Sequence, residues 1–201
     1  MFTALQALLN SLAVTFDLPI LDWIQAHLQC TFLDVTMPIV TLFGDGGVFW
    51  IAVAVVLLLF AKYRKTGFSM GMALVLGLLV CNILLKPQVA RIRPYNFQLQ
   101  EYGREITLLV KGLNDYSFPS GHTIASFEAC TVLMLHDRRL GIPATVLAIL
   151  IAFSRLYLYV HYPTDVLVSL VLGILFGFLG NYIVDQIYKK KVYSGKYSLK
   201  E

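Results

Sequence analysis

Long apolar runs that end at charge or proline constrain this chain more than any other feature. Val48 to Ala61, Phe68 to Leu85, Pro119 to Leu135, Ile142 to Tyr159 and Pro163 to about Tyr188 are apolar almost throughout. They are bounded by Lys62-Tyr63-Arg64-Lys65, Lys86-Pro87, His136-Asp137-Arg138-Arg139, His161 and Lys189-Lys190-Lys191. Backbone groups in hydrocarbon have no water to bond, so a stretch of about 20 such residues is stable there only as a helix. The first run reaches that length only if extended back through Gly44-Asp45-Gly46-Gly47. With 58% hydrophobic and 14% charged residues in 201 positions, and a mean hydropathy of +0.71, no ordinary soluble domain fits. The expected fold is all-α: a polytopic membrane helical bundle with about five transmembrane helices.

The N-terminal third reads differently. From Phe2 to Phe16, Leu5, Leu8, Leu9, Leu12 and Phe16 recur at helical spacing, opposite Thr3, Gln6 and Asn10. Pro19 to Gln29 repeats the pattern, with Leu21, Ile24 and Leu28 against Asp22, Gln25 and Gln29, and Trp23 placed as a headgroup-level anchor. Both segments fall short of a span and are expected as amphipathic interfacial helices. Phe32 to Phe43 carries Asp34 and Pro38 and fits either a lead-in helix or part of a span. No basic n-region or small-residue cleavage site precedes Asp17, so the N-terminus reads as retained. The whole chain, 1–201, forms one expected domain: interfacial helices and lead-in over 1–43, helical core over 44–190, and a polar cytoplasmic tail over 191–201.

Net charge is +4, but the cations are clustered, which bears on topology rather than on a nucleic-acid face. With five spans from Val48 onward, Lys62, Arg64 and Lys65, then Arg138 and Arg139, then Lys189 to Lys191, all fall on one side, expected to be the cytoplasm. Lys86 to Arg93, Pro119 to His122 and Arg155 to Asp165 fall on the other, with the long polar connection Tyr95 to Phe118. Cys30, Cys81 and Cys130 are too few and too scattered for a disulfide framework or a zinc site.

The chemistry gathers on that second side. Pro163 suits a first helical turn, which puts His161 at a helix mouth and Asp165 where it can accept from the imidazole Nδ1–H and leave Nε2 free. Taken alone, the pair fits an oriented nucleophile and an interfacial histidine beside a helix-start carboxylate equally well. Lys86, Arg91 and Arg93 break the positive-inside bias, which a bound anion would explain. Ser120 suits an N-cap, and the N–H groups of the following turn offer a further anion contact. Three cations, a helix N-terminus and two histidines at one membrane face describe a site for a tetrahedral oxyanion. The implied chemistry is phosphoryl transfer to water, with side-chain cations in place of a metal and no cofactor.

Lys86 followed by Arg93-Pro94, then Pro119-Ser120-Gly121-His122, then Ser154-Arg155 with His161 and Asp165, resembles the three-part signature of the type 2 phosphatidic acid phosphatase (PAP2) superfamily. The resemblance covers Gly44 to about Leu179. It implies that His161 is the phosphorylated nucleophile, Asp165 its orienting partner and His122 the general acid. It implies that Lys86, Arg93, Ser120, Gly121 and Arg155 hold the phosphate oxygens. Arg91 lies outside the signature and is assigned at most a second phosphate contact. Many relatives begin with a full first span; this chain is expected to have five spans and interfacial helices instead.

The activity so implied is that of a metal-independent lipid phosphatase in the plasma membrane. Its site would face the extracellular or periplasmic side, with undecaprenyl diphosphate as leading substrate and phosphatidylglycerophosphate, phosphatidate or a lipid A phosphate as competitors. The expected partners are a lipid phosphate and the bilayer, not nucleic acid. Vanadium haloperoxidase chemistry uses a similar anion cradle, but in soluble relatives. A non-catalytic lipid-binding or transport protein is the other alternative, and intact His122, His161 and Asp165 argue against it.

Overall fold

The computed structural model describes residues 2–197, and among them every regular element is helical. Five stretches are long and apolar enough to cross a membrane: Leu5–Leu28, Thr31–Leu59, Ala61–Tyr102, Arg138–Tyr157 and Pro163–Lys190. The expected count of five is met, but the membership differs. Helices α1 (Phe2–Leu12) and α2 (Leu18–Leu28) join through a π-helical turn at Ala13–Asp17, so the N-terminal segments form one rod rather than two short helices. Its partners lie at one end of the bundle. Leu9 packs on Val89 and Phe118, Leu21 sits with Tyr159 and Tyr162, and Gln25 Nε2 donates to the Tyr157 carbonyl at 2.7 Å. The rod therefore lies against the end that carries the polar connection.

Helices α3 (Thr31–Leu42) and α4 (Val48–Leu59) settle the ambiguity of Phe32 to Phe43 in favour of a span. They are two halves of one broken rod, interrupted at Gly44–Gly47. Gly46 and Gly47 adopt φ of 57° and 68°, left-handed values that glycine accepts without a Cβ clash. Such a break is tolerable at membrane depth where the irregular backbone lines a polar cavity.

From α4 the chain returns through α5 (Arg64–Gly77), which widens into π-helical turns over Leu78–Leu85 and runs into α6 (Lys86–Val89). After α7 (Pro94–Tyr102) and an irregular connection, α8 (Gly121–His136) passes down the middle, packed on α5, α9 (Arg138–Tyr157) and α10 (Pro163–Tyr197). At 16 residues α8 is short for a membrane crossing, yet it runs from His122 in the cavity to His136 beside Asn181 at the far end. Close helix approach depends on small residues. A Cβ on Gly180 would stand 2.6 Å from the Ala73 nitrogen, and one on Gly173 2.8 Å from the Ile124 carbonyl.

The far end is tied by Lys65 to Asp185 at 2.6 Å, Tyr63 to Asp137 at 3.3 Å and His136 to Asn181 at 2.7 Å. This places the three basic clusters at one end, as the loop charges suggest. Helix α10 continues to Tyr197, so the expected tail is helical up to that point, and residues 198–201 lie outside the described ones.

Candidate active site

His161 lies in the short link between α9 and α10, held by backbone rather than by side chains. Its N–H and that of Val160 both reach back to the Arg155 carbonyl, at 3.3 and 3.2 Å. Tyr159 adopts φ 58°, an unfavourable conformation for a bulky residue. Its hydroxyl compensates by donating to Asp22 Oδ1 at 2.9 Å and accepting from Gln98 Nε2 at 2.9 Å. Pro163 opens α10, and Asp165 in the first turn accepts the Tyr162 N–H at 3.0 Å. The same Oδ2 stands 3.5 Å from His161 Nδ1, behind the ring but not hydrogen-bonded to it: that nitrogen has no hydrogen-bond partner among the described residues, whereas the spacing predicts an accepted Nδ1–H. Nε2 points the other way, 3.3 Å from Arg93 Nη1. Burial pushes the His161 pKa well below the usual imidazole range, and the charges of Arg93, Arg155 and Lys86 push it further, against Asp115. The ring is thus held neutral, the form that has a lone pair to offer.

Lys86, Arg93, Gly121, His122, Arg155 and His161 line a single cavity of about 710 Å³. The facing sides of α4 and α5, from Ile51 and Leu58 to Phe68 and Val75, make an apolar part of its remaining wall, which Asn82, Asp115 and Glu128 also line. Lys86 Nζ and Arg93 Nη2 grip the two oxygens of Asp115, each at 2.5 Å. Burial alone would raise the Asp115 pKa, but these two cations outweigh it and hold the carboxyl down to about 2. Arg93 is fixed further by the Asp115 and Val160 carbonyls, at 2.9 and 2.7 Å. Arg155 reaches Thr41 Oγ1 through Nη1, which also lies 3.2 Å from His122 Nε2, while its Nε has no hydrogen-bond partner.

His122, at the second position of α8, meets Asp45 of the glycine break, with Nε2 to Oδ1 at 2.7 Å. A proton on Nε2 satisfies that contact, whereas a bond accepted from Arg155 Nη1 at 3.2 Å would place it on Nδ1; the shorter Asp45 contact favours the first. A Cβ on Gly44 would stand 2.6 Å from the His122 ring, so the bare backbone there lets the imidazole seat.

Two of the residues assigned from sequence stand away from the cavity wall. Asp165 is behind His161. Ser120 is fully buried at the head of α8, its N–H donating to Ser169 Oγ at 2.7 Å and its own Oγ accepting from Thr123 at 3.0 Å. The predicted side-chain cap is absent. Gly121 does line the cavity, and a Cβ there would crowd Asn82 Oδ1 at 3.2 Å. Arg91 is not a cradle residue: it is buried behind Asp165, donating to Asp165 Oδ1 at 2.5 Å and to Asp17 Oδ2 at 2.7 Å.

Asp17, Thr41, Asp45 and Asp115 are the neighbours that sequence reasoning missed. For Asp17 and Asp45 the advance signal was an acid inside an otherwise apolar helix or glycine turn, a costly placement that asks for a partner; Thr41 and Asp115 carried none.

The arrangement sets a neutral imidazole with a carboxylate behind it, three cations near it, and a second imidazole in the same cavity. Residues 66–189 match the model of the PAP2 superfamily. An undecaprenyl-diphosphatase of Sulfolobus acidocaldarius is 35% identical over 131 residues, 65% of this chain and 61% of that protein. The chain spans about three fifths of the length of the curated relatives it matches. Among solved structures, a transmembrane PAP2 type phosphatidylglycerolphosphate phosphatase from Bacillus subtilis has a TM-score of 0.71 at 27% identity, covering 92% of this chain and 93% of that one. The Aquifex aeolicus LpxE structure has a TM-score of 0.70 at 26% identity, covering 83% and 94%.

Proposed function

Because this chain belongs to the PAP2 superfamily, we propose that it is a membrane lipid phosphatase, with undecaprenyl diphosphate as its leading substrate. The observation that carries the reading is the facing pair in one cavity: His161 Nε2 beside Arg93, and His122 beside Arg155, with Lys86 on the same wall. A phosphoryl group seated among Lys86, Arg93 and Arg155 exposes phosphorus to His161 Nε2. Attack forms a P–N bond while the P–O bond to the leaving group breaks, and His122, entering as the imidazolium, gives its Nε2 proton to that oxygen and is left neutral. Water then attacks the phosphohistidine, His122 takes a proton from it, the P–N bond breaks and inorganic phosphate leaves. Side-chain cations neutralise the developing charge, so the reaction is proposed to need no metal.

The apolar walls of α4 and α5 run on from the cradle and suit a lipid chain rather than a sugar. The site end is assigned to the extracellular or periplasmic side of the plasma membrane, since the basic clusters of the other end follow the positive-inside bias. Phosphatidylglycerophosphate is the second substrate reading, favoured by the near full-length match to the Bacillus subtilis enzyme structure.

A phosphate-release assay in detergent tests both readings over undecaprenyl diphosphate, phosphatidylglycerophosphate, phosphatidate and a lipid A phosphate. Turnover of the diphosphate several-fold above the others supports the leading reading. Preference for a glycerolipid selects the second, and no release from any of them rejects the phosphatase assignment.

A further inference from the structure

Behind Asp165 the interior holds a second carboxylate that the reaction above does not use. Asp17, at the π-helical turn of the N-terminal rod, is fully buried, as is Asp165, and Arg91 between them is 1% exposed. Arg91 Nη1 donates to Asp165 Oδ1 at 2.5 Å and Thr164 Oγ1 at 2.8 Å, and Nη2 donates to Asp17 Oδ2 at 2.7 Å and the Leu9 carbonyl at 2.8 Å. Its guanidinium carbon lies 3.7 Å above the Tyr162 ring. Asp17 in turn accepts the Thr164 N–H at 2.8 Å and hydroxyl at 2.7 Å. Ala90, immediately before Arg91, adopts φ 48°, and Tyr159, two residues before His161, adopts 58°. Non-glycine residues persist in this region only where the surroundings enforce it. The chain thus accepts strain next to both Arg91 and His161.

The charges give this arrangement a direction. Asp17 and Asp165 carry two negative charges and Arg91 one positive, so the buried group has a net negative charge while His161 is neutral. It becomes balanced when the imidazole turns cationic, as it does on attacking phosphorus. In a low-dielectric interior that balance is felt strongly. An arginine shared between two acids leaves part of Asp165 for the histidine, whereas one with a single acid would claim it fully.

We propose that Asp17 and Arg91 are positioning residues for the nucleophile, acting through Asp165. The N-terminal rod then belongs to the reaction centre rather than only to the membrane interface. The inference rests on the phosphatase reading and adds to it a role that the three-part signature does not contain.

Asp17→Asn tests it, since the amide retains an oxygen for Thr164 but removes one charge. The other groups around His161 stay in place: Asp165 behind, and Arg93, Arg155, Lys86, Asp115 and His122 in front. The expected result is a fall in kcat of about tenfold or more with KM nearly unchanged, and an acid limb of kcat/KM moved down by about half a unit to one unit, because the imidazolium loses support. Thr164→Val removes hydroxyl bonds to both Asp17 and Arg91 without changing charge, and should leave the limb where it was. Should Asp17→Asn not fold, Arg91→Lys keeps the charge but cannot span both acids. It is expected to lower kcat about tenfold with KM held and the limb unmoved. Normal kcat and an unmoved limb in a folded Asp17→Asn overturn the proposal, as does a loss in Arg91→Lys that falls on KM alone. A wild-type protein that releases no phosphate fails the phosphatase reading instead, so the two failures are distinct.

Discussion

His122 and His161 differ in their neighbours, and the proposed division of roles rests on that difference. His161 has Asp165 behind Nδ1 and cations before Nε2; His122 has an acid, Asp45, directly on Nε2. His161→Ala should abolish both turnover and any phosphoenzyme trapped by rapid quench. His122→Ala should cost about 10²–10⁴-fold with an alkoxide leaving group but much less with p-nitrophenolate, which leaves without a proton. Label trapped on His122 would reverse the roles. The pH profile follows from the lowered His161 pKa. Neutral imidazole is the active form, so activity is lost as pH falls through that lowered value, and the acid limb should lie below the ordinary ~6.5. Asp115 stays ionised down to about 2 and does not titrate in that range. Its carboxylate holds the two cations that a phosphate would need. Asp115→Ala should therefore tighten inhibition by vanadate a few-fold, on the scale of the about 1 kcal/mol a half-exposed ion pair contributes. At this scale the sequence was informative where chemistry is encoded in local spacing, as at His161 and Asp165. It could not pair Asp17, Asp45 or Asp115, whose partners lie elsewhere in the chain and meet only through folding.

Among the elements, the glycine break between α3 and α4 decides how the cavity is closed. The sequence marks it as a flexible turn, and its place beside His122 could not be read because nothing local links Gly44 to that residue. Gly44 itself has φ of −99°, so an alanine would suit the backbone, but its Cβ would overlap the imidazole at 2.6 Å. Gly44→Ala should lower kcat by about one to two orders of magnitude, the scale on which small displacements of reacting groups act, with a modest change in melting temperature. Wild-type kcat in that variant would show that His122 has room to spare. The N-terminal rod was misjudged in length for a related reason. Phe2 to Phe16 and Pro19 to Gln29 read in sequence as two short helices, whereas the π-helical turn at Ala13–Asp17 joins them and presents Asp17 to the interior. The polar stripe that made the segment look interfacial is partly committed to Tyr157 and Tyr159 through Gln25 and Asp22.

Across the whole molecule, periodicity and charge alone indicated a helical bundle with its polar chemistry at one end, because membrane burial leaves little else possible. Which stretches fill the five places was less legible, since α8 is short, α4 is half of a broken rod and length alone favours Leu5–Leu28. The proposed orientation rests on the end-to-end separation of the cation clusters from the cavity, and it can be tested by membrane-impermeant maleimide on intact cells. Cys81 and Cys130 are buried and should not react, while Cys30, between α2 and α3, is exposed at the cavity end and serves as a native reporter. Cys30 and an introduced Asn114→Cys in the connection before α8 should label from outside. Arg139→Cys, at the opposite end and made in a Cys30→Ser background, should label only after the membrane is opened, because its cluster is expected in the cytoplasm. Labelling of Arg139→Cys in intact cells, with Asn114→Cys protected, would invert the protein and place the phosphatase chemistry on the cytoplasmic leaflet.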